Sequence, residues 1–163
     1  MRRTLATLAV ALGGCTSSPD ARSSISESDA RQRATAYLQG TPTIVSSIET
    51  ADEHRWAVSM TMRTGGESLV EIDKSDGRLD ELKGESGPFD YEVPSAAPGL
   101  LTYRAAQPMA LATKQGDVEG WEINVVTDVW EFYVRDASKQ LWEVKLNAKT
   151  GALLSTKAKD QRD

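Results

Sequence analysis

Residues 121–155, WEINVVTDVWEFYVRDASKQLWEVKLNAKTGALLS, contain three stretches in which large apolar residues occupy every second position. These positions are Trp121, Ile123 and Val125, then Trp130, Phe132 and Val134, then Trp142, Val144 and Leu146. Successive side chains of a strand point to opposite faces. We therefore predict strands at Trp121 to Thr127, Trp130 to Arg135 and Leu141 to Asn147, followed by a turn and a short strand at Ala152 to Ser155. Together they form an antiparallel meander with one apolar face.

The four tryptophans allow two interpretations. Exposed aromatic side chains could form a platform for a carbohydrate or a peptide. However, Trp121, Trp130 and Trp142 share their phase with aliphatic neighbours, and Trp56 is in phase with Val58 and Met60. Burial of an aromatic ring is among the largest gains available to a small domain. The pattern therefore favours four core residues.

The alternate positions define the opposite face of the predicted sheet. In the last strands this face carries charged and polar residues, which predicts a solvated surface with charge pairs between strands. In the strand around Trp56 the corresponding residues are small and uncharged. We predict that a partner binds to this face at Ala57, Ser59, Thr61, Glu131, Tyr133 and Arg135.

The chain resembles itself at a shift of 74 to 76 residues. A shift of 74 aligns Trp56 with Trp130 and places Gly77 on Gly151, and a shift of 76 aligns Ala30 with Ala106. The apolar positions agree while the polar ones diverge, as is typical of an internal duplication. We predict an α+β fold of two repeated modules, each with one helix packed on an antiparallel meander of three to four strands.

Each module begins with a predicted helix. Ser26 is suited to cap the first helix, and Gly40 to end it. Strands follow near Thr43 to Glu49, Arg55 to Arg63, Ser68 to Asp73 and Arg78 to Leu82. Thr102 is suited to cap the second helix, which runs to Lys114. Because an interior proline disrupts a helix, Pro108 leaves two alternatives, a late start or a kink.

Two further stretches resemble a known family. VEIDKSDG at Val70 to Gly77 and VKLNAKTG at Val144 to Gly151 are similar to the closing strand and turn of the PepSY module. Asp76 and Asn147 depart mildly from the usual residues. The resemblance places two modules at residues 26–82 and 102–158. It implies an extracytoplasmic, noncatalytic module, found in propeptides of thermolysin-like proteases, that inhibits or regulates peptidases.

The N-terminal residues resemble a secretory signal peptide. Arg2 and Arg3 precede a nine-residue apolar run, Thr4 to Leu12, which is too short to span a bilayer. The following Gly13-Gly14-Cys15 resembles the bacterial lipobox, which implies a lipid on Cys15 and cleavage before it. We predict a signal peptide at residues 1–14, a lipidated tether at 15–25, and an extracytoplasmic protein anchored to the cell membrane.

The composition of two further segments predicts a linker and a tail. Residues 83–101, with three Gly and three Pro, form a predicted linker, and residues 159–163 a polar tail. After removal of the signal, 17 basic residues oppose 24 acidic ones. This balance disfavours nucleic acid as a partner.

The sequence offers little catalytic chemistry. His54 is the only histidine, and Cys15 is assigned to the lipid, so a zinc site or a Cys/His pair is not expected. Glu122 and Glu131 could face each other, but on a solvated sheet they are more typical of surface charges than of an acid and base. Asp73, Asp76 and Asp80 lack the spacing of a calcium loop. We therefore predict no metal and no cofactor.

These observations lead to one functional hypothesis and two rivals. The main hypothesis is a membrane-anchored lipoprotein that binds and regulates or inhibits an envelope or secreted peptidase. The first rival is a sensor or scaffold for a cell-wall or small-molecule ligand, and the second is an enzyme of unrecognised type. A deep polar pocket would favour the sensor, whereas a broad exposed edge or flat face would favour a protein partner.

Overall fold

Two helices and eight strands make up the part of the chain that the computed structural model describes, residues 24–38, 43–50, 54–91 and 93–162. Their order is α1 (Glu27–Ala36), β1 (Thr43–Thr50), β2 (Arg55–Thr61), β3 (Glu67–Asp73), β4 (Leu79–Ser86), α2 (Tyr103–Thr113), β5 (Asp117–Asn124), β6 (Val129–Arg135), β7 (Leu141–Asn147) and β8 (Leu153–Lys159). The predicted signal peptide and Cys15 lie outside the described residues. The fold is α+β, as the alternation predicted.

All eight strands belong to a single antiparallel sheet in sequence order, β1 to β8. Its two halves meet where β4 pairs with β5, through only four residues on each strand, Glu81 to Gly84 against Trp121 to Asn124. We call this strand pair the seam. The modules predicted from the sequence therefore share one sheet in addition to the chain that links them.

The first four residues of the predicted linker are part of β4, which continues to Ser86. Gly84, which looked like a linker glycine, lies directly opposite Trp121 in the seam. A Cβ atom at Gly84 would be 2.2 Å from the indole Nε1 of Trp121. A glycine within a strand often marks such a close approach. At the other end of the chain, β8 continues to Lys159, the first residue of the predicted tail.

Both helices pack against the same face of the sheet, α1 on β1 to β3 and α2 on β6 and β7. Ser26 caps α1 in a capping box with Asp29, and Thr102 caps α2 by accepting a hydrogen bond from the Ala105 N–H. The helix α2 begins at Tyr103 and contains Pro108. The alternative in which this helix starts late, with Pro108 in its first turn, was therefore wrong.

The core lies between the helices and the sheet. Trp121 and Trp130 are almost fully buried, and they contact the rings of Tyr103 and Phe132 at centroid distances of 5.1 to 6.2 Å. Trp56 packs against the core but stays half-buried. Trp142 is also half-buried, and the Lys114 amine at the end of α2 lies 3.3 Å from its ring centroid. The shared phase of the tryptophans therefore placed all four on the helix side.

The same backbone and indole hydrogen bonds occur in both halves of the chain. The residue before each helix cap donates its N–H to the turn after the third strand and accepts a hydrogen bond from a tryptophan indole. The Ile25 N–H donates to the Lys74 carbonyl, and the Leu101 N–H donates to the Ala148 carbonyl, both at 2.7 Å. The Trp56 indole donates to the Ile25 carbonyl at 3.2 Å, and the Trp130 indole donates to the Leu101 carbonyl at 3.1 Å. Gly77 and Gly151 both adopt a φ of 73° in these turns, a conformation that glycine favours.

Neither α1 nor α2 is long and apolar enough to cross a membrane, and these are the helices of the described residues.

Candidate binding surfaces

The predicted partner-binding residues of the first half lie on the sheet face opposite the helices, which we call the outer face. Ala57, Ser59 and Thr61 are half-buried there. Ser59 and Thr61 border an open cavity of about 220 Å³, which is also lined by Glu67 and Glu85. This part of the outer face is shallow and accessible, and its binding role remains a prediction.

Two of the three predicted residues of the second half are buried, and Arg135 is half-buried. Glu131 and Tyr133 are only 6% and 5% exposed, so the prediction of a solvated face was wrong here. The Tyr133 hydroxyl donates to Glu131 at 2.6 Å, the Lys145 amine lies 2.6 Å from the same carboxylate, and the Arg162 guanidinium lies over the Tyr133 ring. Arg135 makes two hydrogen bonds, of 2.9 and 2.8 Å, to the Glu119 carboxylate. Long side chains folded over the strands thus remove Glu131 and Tyr133 from solvent, which a period-two pattern does not reveal.

A network of carboxylates and lysines crosses the outer face at the seam. The Lys83 amine lies 2.7 Å from Glu81, 3.6 Å from Glu71 and 3.8 Å from Glu122. Asn124 donates to Glu81 at 3.1 Å. Glu81 is 7% exposed, so this is a buried charge network rather than a set of solvated surface ions.

Glu81 and Glu122 interact within this network, and each changes the pKa of the other. Burial, together with a hydrogen bond to Glu81 and the charge of that carboxylate, raises the pKa of Glu122 to about 8. Burial would also raise the pKa of Glu81, but hydrogen bonds from Glu122 and Lys83 outweigh it and hold that pKa below its usual value. Two carboxylates at close range ionise one at a time. The sequence indicated Glu131 as the neighbour of Glu122, and the two are paired in register, but the carboxylate that hydrogen-bonds to Glu122 is Glu81 from the other half.

The three aspartates around Gly77 serve the turn and ion pairs. Asp73 accepts hydrogen bonds from the backbone N–H groups of Ser75 and Asp76 at 2.7 and 3.3 Å. Asp80 lies 3.0 Å from the Arg55 guanidinium. Among the described residues, no group of three or more His, Cys, Asp or Glu side chains is arranged to hold a metal ion.

The strand β8 forms one edge of the sheet and exposes apolar residues. It pairs with β7 along one side, and no described strand lies along its other side. Leu153 and Leu154 are 52% and 54% exposed. Leu79, which a shift of 74 aligns with Leu153, is 5% exposed in β4, whose second edge pairs with β5.

A small cavity lies at the start of α2. It has a volume of about 150 Å³ and is lined by Phe89, Asp90, Tyr91, Tyr103, Arg104 and Gln107. The Tyr103 hydroxyl and the Trp121 indole nitrogen are buried and have no hydrogen-bond partner among the described residues. Most buried polar groups in native proteins are paired. This aromatic region therefore has polar groups that no described residue pairs with.

Comparisons with known proteins agree with the resemblance noted in the sequence. Residues 24–79 match the family model described as "Peptidase propeptide and YPEB domain" (PepSY). No curated protein sequence is significantly similar to the chain. One similar solved structure is a "putative lipoprotein" from Clostridium difficile 630, with 15% identity, a TM-score of 0.39, and coverage of 79% of this chain and 88% of that one. Another is the Bacillus megaterium YpeB C-terminal domain, with 15% identity, a TM-score of 0.38, and coverage of 86% and 68%. Over residues 24–79, about a third of its length, the chain is therefore similar to the PepSY family.

Proposed function

We propose that this protein is an extracytoplasmic lipoprotein, anchored through Cys15, that regulates or inhibits an envelope or secreted peptidase by binding it. The PepSY match over residues 24–79 supports a regulatory, noncatalytic role. We infer that the chain acts through surfaces rather than through a reactive group.

We also propose that residues 26–82 and 102–158 are two copies of one module. The support comes from the hydrogen bonds that recur in both halves, each displaced by 74 or 76 residues. Buried alanines recur in the helices in the same way, Ala30 and Ala34 in α1 and Ala106 and Ala110 in α2. Such agreement in capping, turn and indole contacts is more specific than a shared apolar pattern.

The observation that carries protein binding is the open edge of β8. In the proposed duplication β8 corresponds to β4, and β4 binds β5 along the equivalent edge. The pairing of β5 with β4 is thus an example, within this chain, of the kind of strand that such an edge binds. An open edge strand presents unpaired N–H and C=O groups, and extended peptides commonly add to it. Because β5 alternates apolar residues with Glu119 and Glu122, and Lys157 is exposed on β8, we propose that the partner contributes an antiparallel, acidic strand.

The anchor predicts where the protein is found. We expect Cys15→Ser to leave the chain unlipidated, so that the protein moves from the membrane fraction to the soluble fraction. Two or three acyl chains are needed for stable anchoring, at about 0.8 kcal/mol per buried methylene. The measurement is fractionation in high salt, with mass spectrometry of residue 15. A processed Cys15→Ser protein that stays with the membrane would exclude a lipid anchor.

The β8 edge gives the test of peptidase binding. We expect the mature chain to bind and inhibit at least one envelope or secreted peptidase of its own cell, and Leu154→Asp to weaken that complex by roughly tenfold or more. The added carboxylate would repel an acidic strand and remove apolar contact area. Binding is measured by calorimetry and inhibition by peptide hydrolysis.

The matched control is Val126→Asp, which replaces another exposed apolar residue, 73% exposed, in the turn between β5 and β6. This variant should bind as the unchanged chain does. Equal losses in both variants would place the contact elsewhere. The absence of any complex with these peptidases would overturn the proposal.

A second candidate function is a sensor for a small envelope ligand. The observation in its favour is the Tyr103 hydroxyl, which has no hydrogen-bond partner among the described residues and lies beside the 150 Å³ cavity at the start of α2. A cavity of about this size holds a single aromatic ring in other proteins. It is smaller than the usual ligand pocket of roughly 300 Å³ or more, which is why we place this function second.

A further inference from the structure

An arginine of the predicted polar tail, Arg162, lies at the end of the seam where β4 and β5 stop pairing. Arg162 donates from Nη1 to the backbone oxygens of Glu85 and Glu119, the latter at 2.7 Å, and from Nη2 to the Glu85 carboxylate at 3.0 Å. Its guanidinium carbon lies 5.7 Å from the Tyr133 ring centroid. The site thus combines two carbonyls, a carboxylate and an aromatic face, which together match the planar fork of a guanidinium.

The two carbonyls are available because both strands bulge at this point. In the β3–β4 pair the register shifts between Glu67 and Ser68, which leaves Glu85 as an extra residue. In the β5–β6 pair it shifts between Val118 and Gly120, which leaves Glu119 as an extra residue. A β-bulge interrupts the ladder and leaves a residue without its regular partner. Pairing between β4 and β5 also ends one residue earlier, at Gly84 and Trp121.

The space for the guanidinium is built into the sheet. A Cβ atom at Gly120 would lie 2.6 Å from the Arg162 guanidinium carbon. The other walls of the site are strand backbone and the buried Tyr133 ring. The backbone is held by strand pairing, and the Tyr133 ring is held by the hydrogen bond from its hydroxyl to Glu131, so neither wall needs residues 160–162 to position it.

We propose that this end of the seam is an arginine-binding site, occupied here by the chain's own Arg162, that accepts an arginine side chain of another polypeptide when the tail leaves. Pairing between β7 and β8 ends at Lys159, so among the described residues release of Arg162 gives up the guanidinium contacts and no strand pairing. An intramolecular ligand of this kind competes with an external one through its effective concentration, typically millimolar for a short flexible segment. The site is distinct from the β8 edge, and its test requires no peptidase.

The test uses the full mature chain with Arg162→Ala and the acetylated tetrapeptide of residues 160–163 as the probe. We expect this peptide to bind the variant at least about tenfold more tightly than peptides in which its arginine is replaced by alanine or lysine, because an ammonium cannot form the same fork. The unchanged chain should show no binding at the same peptide concentrations, because its site is filled. Chemical shifts of the Gly120 amide and the Tyr133 ring report occupancy.

The control adds Gly120→Ala to Arg162→Ala. The three atoms nearest to a Cβ at this position all belong to Arg162, so the alanine is tolerated once that side chain is gone, but it fills the site. We expect the double variant to fold and to bind none of the peptides. Equal binding of the arginine and alanine peptides, binding that survives Gly120→Ala, or no binding to folded Arg162→Ala would each overturn the proposal. The last result would mean that Arg162 only clamps the seam.

Discussion

Replacing Trp130 with alanine is expected to lower the free energy of unfolding by about 3 to 5 kcal/mol, the typical cost of truncating a buried aromatic side chain. Trp130 is fully buried between α2 and the sheet, and it contacts Tyr103, Trp121 and Phe132. The change also leaves the Leu101 carbonyl without its indole donor. A single domain has only about 5 to 15 kcal/mol of stability, so much of the chain's stability depends on this residue.

Trp142→Ala provides the comparison for this measurement. Trp142 is half-buried and lies near the edge of the sheet, on β7, so its replacement should cost less than about 2 kcal/mol. Both values come from chemical denaturation followed by far-ultraviolet circular dichroism. A loss below about 1 kcal/mol for Trp130→Ala would contradict the assignment of this side chain to the core.

Glu122→Gln is expected to stabilise the protein at pH 8 by as much as a few kcal/mol, with a gain that shrinks toward pH 4.5. The folded chain keeps a proton on Glu122 because its pKa is raised to about 8, whereas the unfolded chain loses that proton near 4.5. Each pH unit between these values costs the folded state about 1.4 kcal/mol. Glutamine can donate its amide N–H to Glu81 as the protonated carboxyl does, without the pH-dependent cost.

The sign follows from the direction of the shift. A carboxyl with a raised pKa contributes its stabilisation fully below the unfolded value and loses it as the pH rises through the folded value. The groups facing Glu122 are Glu81 and Lys83 from β4, and Glu131 from β6. Glu81 has a lowered pKa and stays ionised across this window.

Asp117→Asn is the control for Glu122→Gln, because Asp117 is an exposed carboxyl on the same strand, β5. Its replacement should leave the pH dependence of stability unchanged. Unfolding free energies measured from pH 4.5 to 8.5 check both variants. If the difference between Glu122→Gln and the unchanged chain stays constant across this range, the pKa of Glu122 is not raised in the folded chain.

The presence of the strands and helices could be predicted from the local sequence pattern, whereas the residues at which they begin and end could not. The alternation around Trp121, Trp130 and Trp142 located β5 to β7 and the face they bury, because a period of two is a property of one strand. The strand β4 was predicted only to Leu82, because Gly84 looked like a linker residue. The reason for that glycine is the Trp121 indole, which reaches it from 37 positions along the chain.

The outer face also shows that local pattern does not predict contacts between distant residues. Its composition, with Glu131, Tyr133 and Arg135, correctly indicated side chains that point away from the helices. Whether such a face is exposed to solvent depends on the side chains that pack over it. Here Lys145 and Arg162 cover Glu131 and Tyr133. Arg162 carries no sequence signal beyond the glycine at position 120, which interrupts a strand of larger residues. Its site could not have been predicted from the chain alone.

The sequence by itself determined the α+β class, the helix caps, the apolar phase of each strand and the PepSY resemblance, because these depend on residues within a few positions of one another. Only the tertiary structure decided that the two halves share one sheet, that Glu122 interacts with Glu81 across the seam, and that Arg162 fills the site between Glu85 and Glu119. Each of these joins residues that are about 40 or more positions apart. Backbone pairing between distant strands sets such contacts, and local periodicity does not encode them.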